Sequence, residues 1–230
     1  MHIQIYQGST IPTEPVYTTI VIDVIRAFTV AHYAFLKGIK QIYLAATVEQ
    51  AFKIKFDHPD FLLAGEVEGL PIRGFDLDNS PYNISNKDIV GKTLIQKTTN
   101  GVEATLNCLS SDHILVTGYT NAKTTANFVK EKLLSNENNT IRLVASHPSG
   151  DDDLACAEYI KSMIDGTSMI SNKEVIERIK KSHVAKKFFD KNNNFLQEDI
   201  DCCIRELDTD FVMKVNKEME IPMIERIKIQ

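Results

Sequence analysis

The chain has 230 residues, 43% hydrophobic and 25% charged, enough apolar material for one large core or two small ones. Its net charge of −5 excludes a general nucleic-acid binder, which needs a positive surface to displace counterions from phosphates. MHIQIYQGST lacks the basic start and apolar run of a signal peptide, and no apolar stretch approaches the roughly 20 residues that cross a bilayer. The expectation is a cytoplasmic protein with no membrane partner.

In chain order, YTTIVIDVI predicts a buried strand and RAFTVAHYAFLKG a helix, and KQIYLAA with TVEQAFKIKF repeats the pair. FLLAGE, KTLIQKTT into NGVEATLNCL, HILVTGY into NAKTTANFVKEKLL, and TIRLVASH into DDDLACAEYIKSMI continue it. Near-continuous apolar strands between helices predict an α/β fold, a three-layer α/β/α sandwich with a largely parallel or mixed sheet covered on both faces. After Gly166, NKEVIERIKKSHVAKKFFDKNNNF and QEDIDCCIREL read as a helical C-terminal extension over 167–210 of one α/β domain spanning 1–230. FVMKVNKEMEIPMIERIKI alternates as a terminal strand or hairpin, with Pro222 favouring a sheet edge. Cys108, Cys156, Cys202 and Cys203 show no metal-ligand spacing and read as reduced, mostly buried thiols.

In an open α/β sheet, loops leaving the C-terminal strand ends line one crevice. Here those ends carry Asp23 and Arg26, Glu66, Thr98 to Asn100, Thr120 and Asn121, and Asp151 to Asp153. Helix capping by itself accounts for Asn100, Asn121 or Asp151 taken singly. Asp23 is more telling, because a carboxylate inside an apolar strand is costly unless paired, hydrogen-bonded or bound to a cation; a buried ion pair with Arg26 is one such solution. The mixture suits a phosphate ester with Mg²⁺: carboxylates for the ion, Thr98, Thr99, Asn100 and helix N–H groups for phosphoryl oxygens, and Arg26 as a planar fork. LAGEVEGLPIRGFDLDNSPYNI reads as a polar lid, with Asp76 and Asn79 facing the ligand and Glu68 and Asp78 in solvent. His147, beside the Asp run, is left outside the site.

VIDVIRAFT, LAGEVEGLPIRGFDLDNSP and GKTLIQKTTNG resemble, in order, the VIDVLRA-type, LAGE…GFDLGNSP and GKTL…TTTNG blocks of the 2-phosphosulfolactate phosphatases. TGYTNA and DDDLACA correspond more loosely, so the likeness runs from about Asp23 to Cys156 and faintly through EDIDCCIRELDTDFVMKV. The resemblance implies a Mg²⁺-dependent hydrolase that converts (R)-2-phospho-3-sulfolactate to 3-sulfolactate and phosphate. The combined reading assigns Asp23, Arg26, Glu66 and Asn100 to catalysis, Asp76, Asn79, Thr98, Thr99 and Asn121 to substrate binding, and Asp23, Asp152 and Asp153 to Mg²⁺. The partner is a small phosphorylated acid, and apolar surface on the C-terminal helices would permit a homodimer.

Two departures bear on substrate choice. Val102 and Glu103 stand where the family pattern has Thr-Arg, and Pro148, Ser149 and Gly150 where it has Arg-Phe-Ser, so two cations are missing and anion recognition is weakened more than the metal site. Alternatives are a catalytically degenerate member that binds a phosphorylated or sulfonated acid, and an isochorismatase-like cysteine hydrolase with Asp23 as base, Lys97 or Lys92 as orienter and Cys156 as nucleophile. A phosphorylated Asp23 is a further route, though the haloacid-dehalogenase pattern needs a second Asp where this chain has Ile25.

Overall fold

A computed structural model describes residues 1–8, 14–135, 140–166, 170–190 and 193–229. The elements run β1 (His2–Gln7), β2 (Thr18–Ile22), α1 (Ala27–Leu36), β3 (Gln41–Leu44), α2 (Val48–Asp57), β4 (Leu62–Val67), β5 (Leu70–Pro71), α3 (Pro81–Ser85), β6 (Leu94–Lys97) and α4 (Gly101–Leu106). They continue with β7 (His113–Thr117), α5 (Ala122–Phe128), β8 (Thr140–Ala145), α6 (Asp151–Asp165), α7 (Asn172–Lys181), α8 (His183–Lys186), α9 (Gln197–Cys203), β9 (Phe211–Asn216) and β10 (Met223–Lys228).

Among the described residues ten strands form a mixed sheet in the order β1-β8-β2-β7-β9-β10-β3-β6-β4-β5. β1, β8, β2 and β7 are mutually parallel, as are β3, β6 and β4, while β9 and β10 join the two blocks through antiparallel pairings. Alternate strand residues cover opposite faces, as the two-residue strand repeat requires. Val21, Val116, Val144, Met213 and Leu94 pack against α1 and α4 on one face. Ile20, Ile22, Leu115 and Leu143 meet α5, α6 and α7 on the other, where Leu63 and Ile95 pack with Ala51 and Ile54 of α2. This is the expected three-layer α/β arrangement.

The terminal hairpin corrects one expectation. β9 and β10 occupy the middle of the sheet, not an edge. Pro222 is compatible with that place because it precedes β10, where its missing N–H costs no ladder bond, and its carbonyl accepts from Leu44 N at 2.9 Å. Local signals set the helix starts: the Thr47 hydroxyl accepts from Gln50 N before α2, and the Ser171 hydroxyl accepts from Glu174 N before α7. Parts of the expected 167–210 extension, residues 167–169 and 191–192, lie outside the described residues. In the rest, Val175, Ile179 and Cys203 join the core on the α6 face, and Ala185, Phe188 and Ile200 form a satellite cluster with Ile25. That satellite brings α8 and α9 to the C-terminal end of β2. Among the described residues no helix is long and apolar enough to cross a membrane.

Candidate active site

Asp23 sits where β2 ends and is 5% exposed, deep enough that its charge must be met by fixed partners. One carboxylate oxygen accepts from Ala27 N at 2.9 Å, so Asp23 closes the first turn of α1, and the other is 3.3 Å from the Ser146 hydroxyl at the end of β8. The start of α4 lies against it: a Cβ on Gly101 would come within 2.7 Å of Asp23 Oδ2, so only glycine permits the approach. Burial pushes the Asp23 carboxyl up to about 7, with the Ala27 N–H opposing the rise and the charges of Glu66 and Asp152 adding to it. The alternative reading of Asp23 as the ion-pair partner of Arg26 is not met: among the described residues the two form no ion pair.

Arg26 pairs instead with Asp199 of α9, Nη1 to Oδ2 at 2.6 Å, with the Asp199 side chain fully buried. The Ser80 hydroxyl donates to the other Asp199 oxygen, and the Arg26 guanidinium lies 4.9 Å from the Phe188 ring centre. A planar cation gripped this way is preorganised for an oxyanion.

Glu66, at the end of β4, accepts from Gly69 N, from Thr99 N and from the Thr99 hydroxyl, the last at 3.0 Å. The Thr99 hydroxyl also accepts from Glu68 N at 2.8 Å, so the β4–β5 turn and the loop before α4 are stitched together. Asp23, Arg26, Glu66, Asn79, Thr99 and Asn100 border one cavity of about 280 Å³. Among the described residues Asn100 makes no capping bond to α4, and the Asn79 carbonyl oxygen is buried without a hydrogen-bond partner. Both amides are therefore available to a ligand.

Several predicted members lie elsewhere. Asp76 faces away from the cleft, accepting from Leu63 N at 2.8 Å and from Lys55, because it anchors the loop after β5 to β4. The Thr98 hydroxyl accepts from Val102 N and caps α4, which also takes an N–H away from any ligand. Asn121 is spent on the Thr209 hydroxyl and the Phe211 carbonyl. Asp153 accepts from Val24 N, His147 N and the Ser146 hydroxyl, and Asp152 from the Ser182 hydroxyl. Burial raises both, Asp152 to about 6 and Asp153 well above the carboxylate range. Among the described residues no three His, Cys, Asp or Glu side chains group as metal ligands; Asp152 and Asp153, expected to hold Mg²⁺ with Asp23, accept from groups at the strand ends and from Ser182 behind the cleft. Cys156 is fully buried on α6 and held well above the usual thiol range by burial, which removes it as a nucleophile at this cleft. Asp78 is also not a solvent group: it accepts from Ser80 N and the Asn83 amide at the start of α3. Glu68, expected in solvent, is exposed and stands at the rim of the cleft.

The sequence reading set His147 outside the site and missed Lys187, Phe188 and Asp199. His147 borders the cleft with its Nδ1 accepting from Ser149 N at 3.2 Å, which leaves the Nε2 proton as its donor. Burial, then the charges of His183 and Lys187, lower its pKa. Asp199 alone left a trace: an acid in the same buried helical stripe as Ile200 and Cys203 is costly without a partner.

The model for the family described as 2-phosphosulpholactate phosphatase matches residues 7–218. The chain belongs to this family. It is 55% identical over 230 residues, the full length of both chains, to a probable 2-phosphosulfolactate phosphatase of Bacillus subtilis (strain 168). It is 36% identical over 163 residues, 68% of this chain and 62% of the relative, to the protein of that name from Clostridium perfringens (strain SM101 / Type A). A third so named, from Clostridium botulinum (strain Eklund 17B / Type B), is 31% identical over 213 residues, covering 84% of this chain and 86% of its own. Membership makes the chain a phosphatase, a phosphoric monoester hydrolase. The three sequence blocks that resemble this family become β2 into α1, β4 through α3, and β6 into α4, and they supply most of the cleft lining, which the loop after β8 and the α8 segment complete.

Proposed function

We propose that the chain hydrolyses (R)-2-phospho-3-sulfolactate, or a closely related phospho-hydroxyacid, to the free hydroxyacid and phosphate with Mg²⁺ as cofactor. The observation that carries the reading is that Asp23, Glu66 and Arg26 border one cleft at the C-terminal strand ends. The name of the full-length Bacillus subtilis relative supplies the substrate. For the cofactor, the support is an all-oxygen donor set: two carboxylates and the unpartnered Asn79 carbonyl oxygen. Mg²⁺ takes one or two carboxylates and keeps waters and phosphate oxygens in its other positions.

When bound by Asp23, Glu66 and Asn79, Mg²⁺ would neutralise phosphoryl charge and lower the pKa of an attacking water. The chain's own groups position the ester. Arg26, oriented by Asp199, donates its fork to the non-bridging oxygens, and Asn100 adds an amide N–H. Asp23 keeps its orientation through Ala27 N and Ser146. The water oxygen bonds to phosphorus as the phosphorus–alkoxide bond breaks, and the water's protons end on phosphate and the departing oxygen or in solvent.

The test is phosphate release from 2-phosphosulfolactate and 2-phospholactate, with Mg²⁺ and with chelator. Release that depends on Mg²⁺ is expected. Binding without release identifies a catalytically degenerate member, and chelator-insensitive hydrolysis rejects the metal.

A further inference from the structure

Resting on that reading of the cleft, we propose that Lys187 binds the second acid group of the substrate, the sulfonate or carboxylate on its carbon skeleton, while Arg26 takes the phosphoryl group. A 2-phospho-hydroxyacid carries anions on neighbouring atoms, and each needs its own cation in a confined site. The strand-end loops supply few: Val102 and Glu103 follow the turn before α4, and Pro148, Ser149 and Gly150 follow β8. Arg26 is already paired with Asp199.

Lys187, just beyond α8, fills the gap. It is partly buried, borders the same cleft, and takes part in no ion pair among the described residues. Its ammonium rests 4.5 Å from the Phe195 ring centre and 5.7 Å from that of Phe188, so aromatic faces hold the charge in place without neutralising it. Gly69, whose φ of +83° favours glycine, lies directly beside the Lys187 ammonium. Burial and the charge of nearby Arg26 both work against protonated Lys187, with only Glu66 opposing them. An anion seated beside Lys187 relieves that repulsion. The cleft thus holds two cations, Arg26 and Lys187, beside the carboxylates of Asp23 and Glu66, enough to meet a phosphoester that carries a second acid.

The experiment compares wild type, Lys187→Met and Lys187→Arg on 2-phosphosulfolactate, 2-phospholactate and p-nitrophenyl phosphate, which has no second acid. Lys187→Met is expected to raise KM for phosphosulfolactate about 10- to 100-fold, the range of a lost charged hydrogen bond, with a far smaller change in kcat. Lys187→Arg should recover most of the loss, and p-nitrophenyl phosphate should register several-fold less of it. A 2-phospholactate loss as large as that of phosphosulfolactate assigns the carboxylate; one as small as that of p-nitrophenyl phosphate assigns the sulfonate. The same fall in kcat/KM on all three substrates overturns the proposal. A wild type inert on every ester overturns the phosphatase reading instead, and calorimetric titration with 3-sulfolactate, which lacks the phosphoryl group, still decides Lys187. Weaker binding by Lys187→Met supports the proposal; equal affinities, or no binding by wild type, sink it.

Discussion

At the residue scale, Asp23 serves two masters. Its carboxylate closes the first turn of α1 through Ala27 N, yet it is buried beside Asp152 and Glu66, whose charges disfavour its ionised form. Because the folded-state pKa is raised, the associated stability is fully present below the ordinary Asp value and is lost as pH rises through about 7. Asp152 and Asp153 act in the same direction. In chelator, the melting temperature should therefore fall between pH 4 and pH 7. Asp23→Asn, which keeps the Ala27 bond, should flatten that slope and raise the melting temperature at pH 8 by about 2–4 °C for each kcal/mol recovered. The same variant should lower phosphate release about 100-fold or more with its far-UV circular dichroism unchanged. Near-normal kcat would remove Asp23 from the chemistry.

At the element scale, α9 matters more to the cleft than its length suggests. Its seven residues put Asp199 under Arg26, with Ser80 at the head of α3 as the second contact. Asp199→Asn keeps the shape of the side chain and removes the charge that orients the guanidinium. It should lower kcat/KM about 10- to 100-fold, the scale of one charge-assisted contact. Arg26→Lys introduced on top of it should then cost much less than Arg26→Lys alone, because the two side chains act as one unit. Additive losses would separate Asp199 from Arg26 and leave it a purely structural acid.

At the scale of the whole molecule, the order of the sheet assigns unequal weight to its two ends. β9 and β10 hold two parallel blocks together, whereas among the described residues β1 pairs only with β8. A chain ending at residue 210 should lose its cooperative thermal transition, since Val212, Met213, Val215 and Ile224 leave the interior together. Deleting residues 1–8 should lower the melting temperature and keep the transition. The reverse ranking in thermal melts would contradict the strand order.

Much of this was legible in the sequence. Strand–helix alternation, the apolar strands and the polar groups at their ends are local properties, written in periodicities of two and 3.6 residues, and they specified the layered α/β fold and the positions of Asp23, Arg26, Glu66, Thr99 and Asn100. Asp76, Thr98 and Asn121 carried the same local marks, but the tertiary structure gave them to nearby backbone and hydroxyl groups. Distant partners were not legible. Asp199 meets Arg26 across 173 positions, and Lys187 reaches the cleft only once the segment around Phe188 has packed on Ile25 at the end of β2. A chain's local pattern states what each segment prefers; which charges share one low-dielectric space depends on long-range packing, and that is decided by the fold alone.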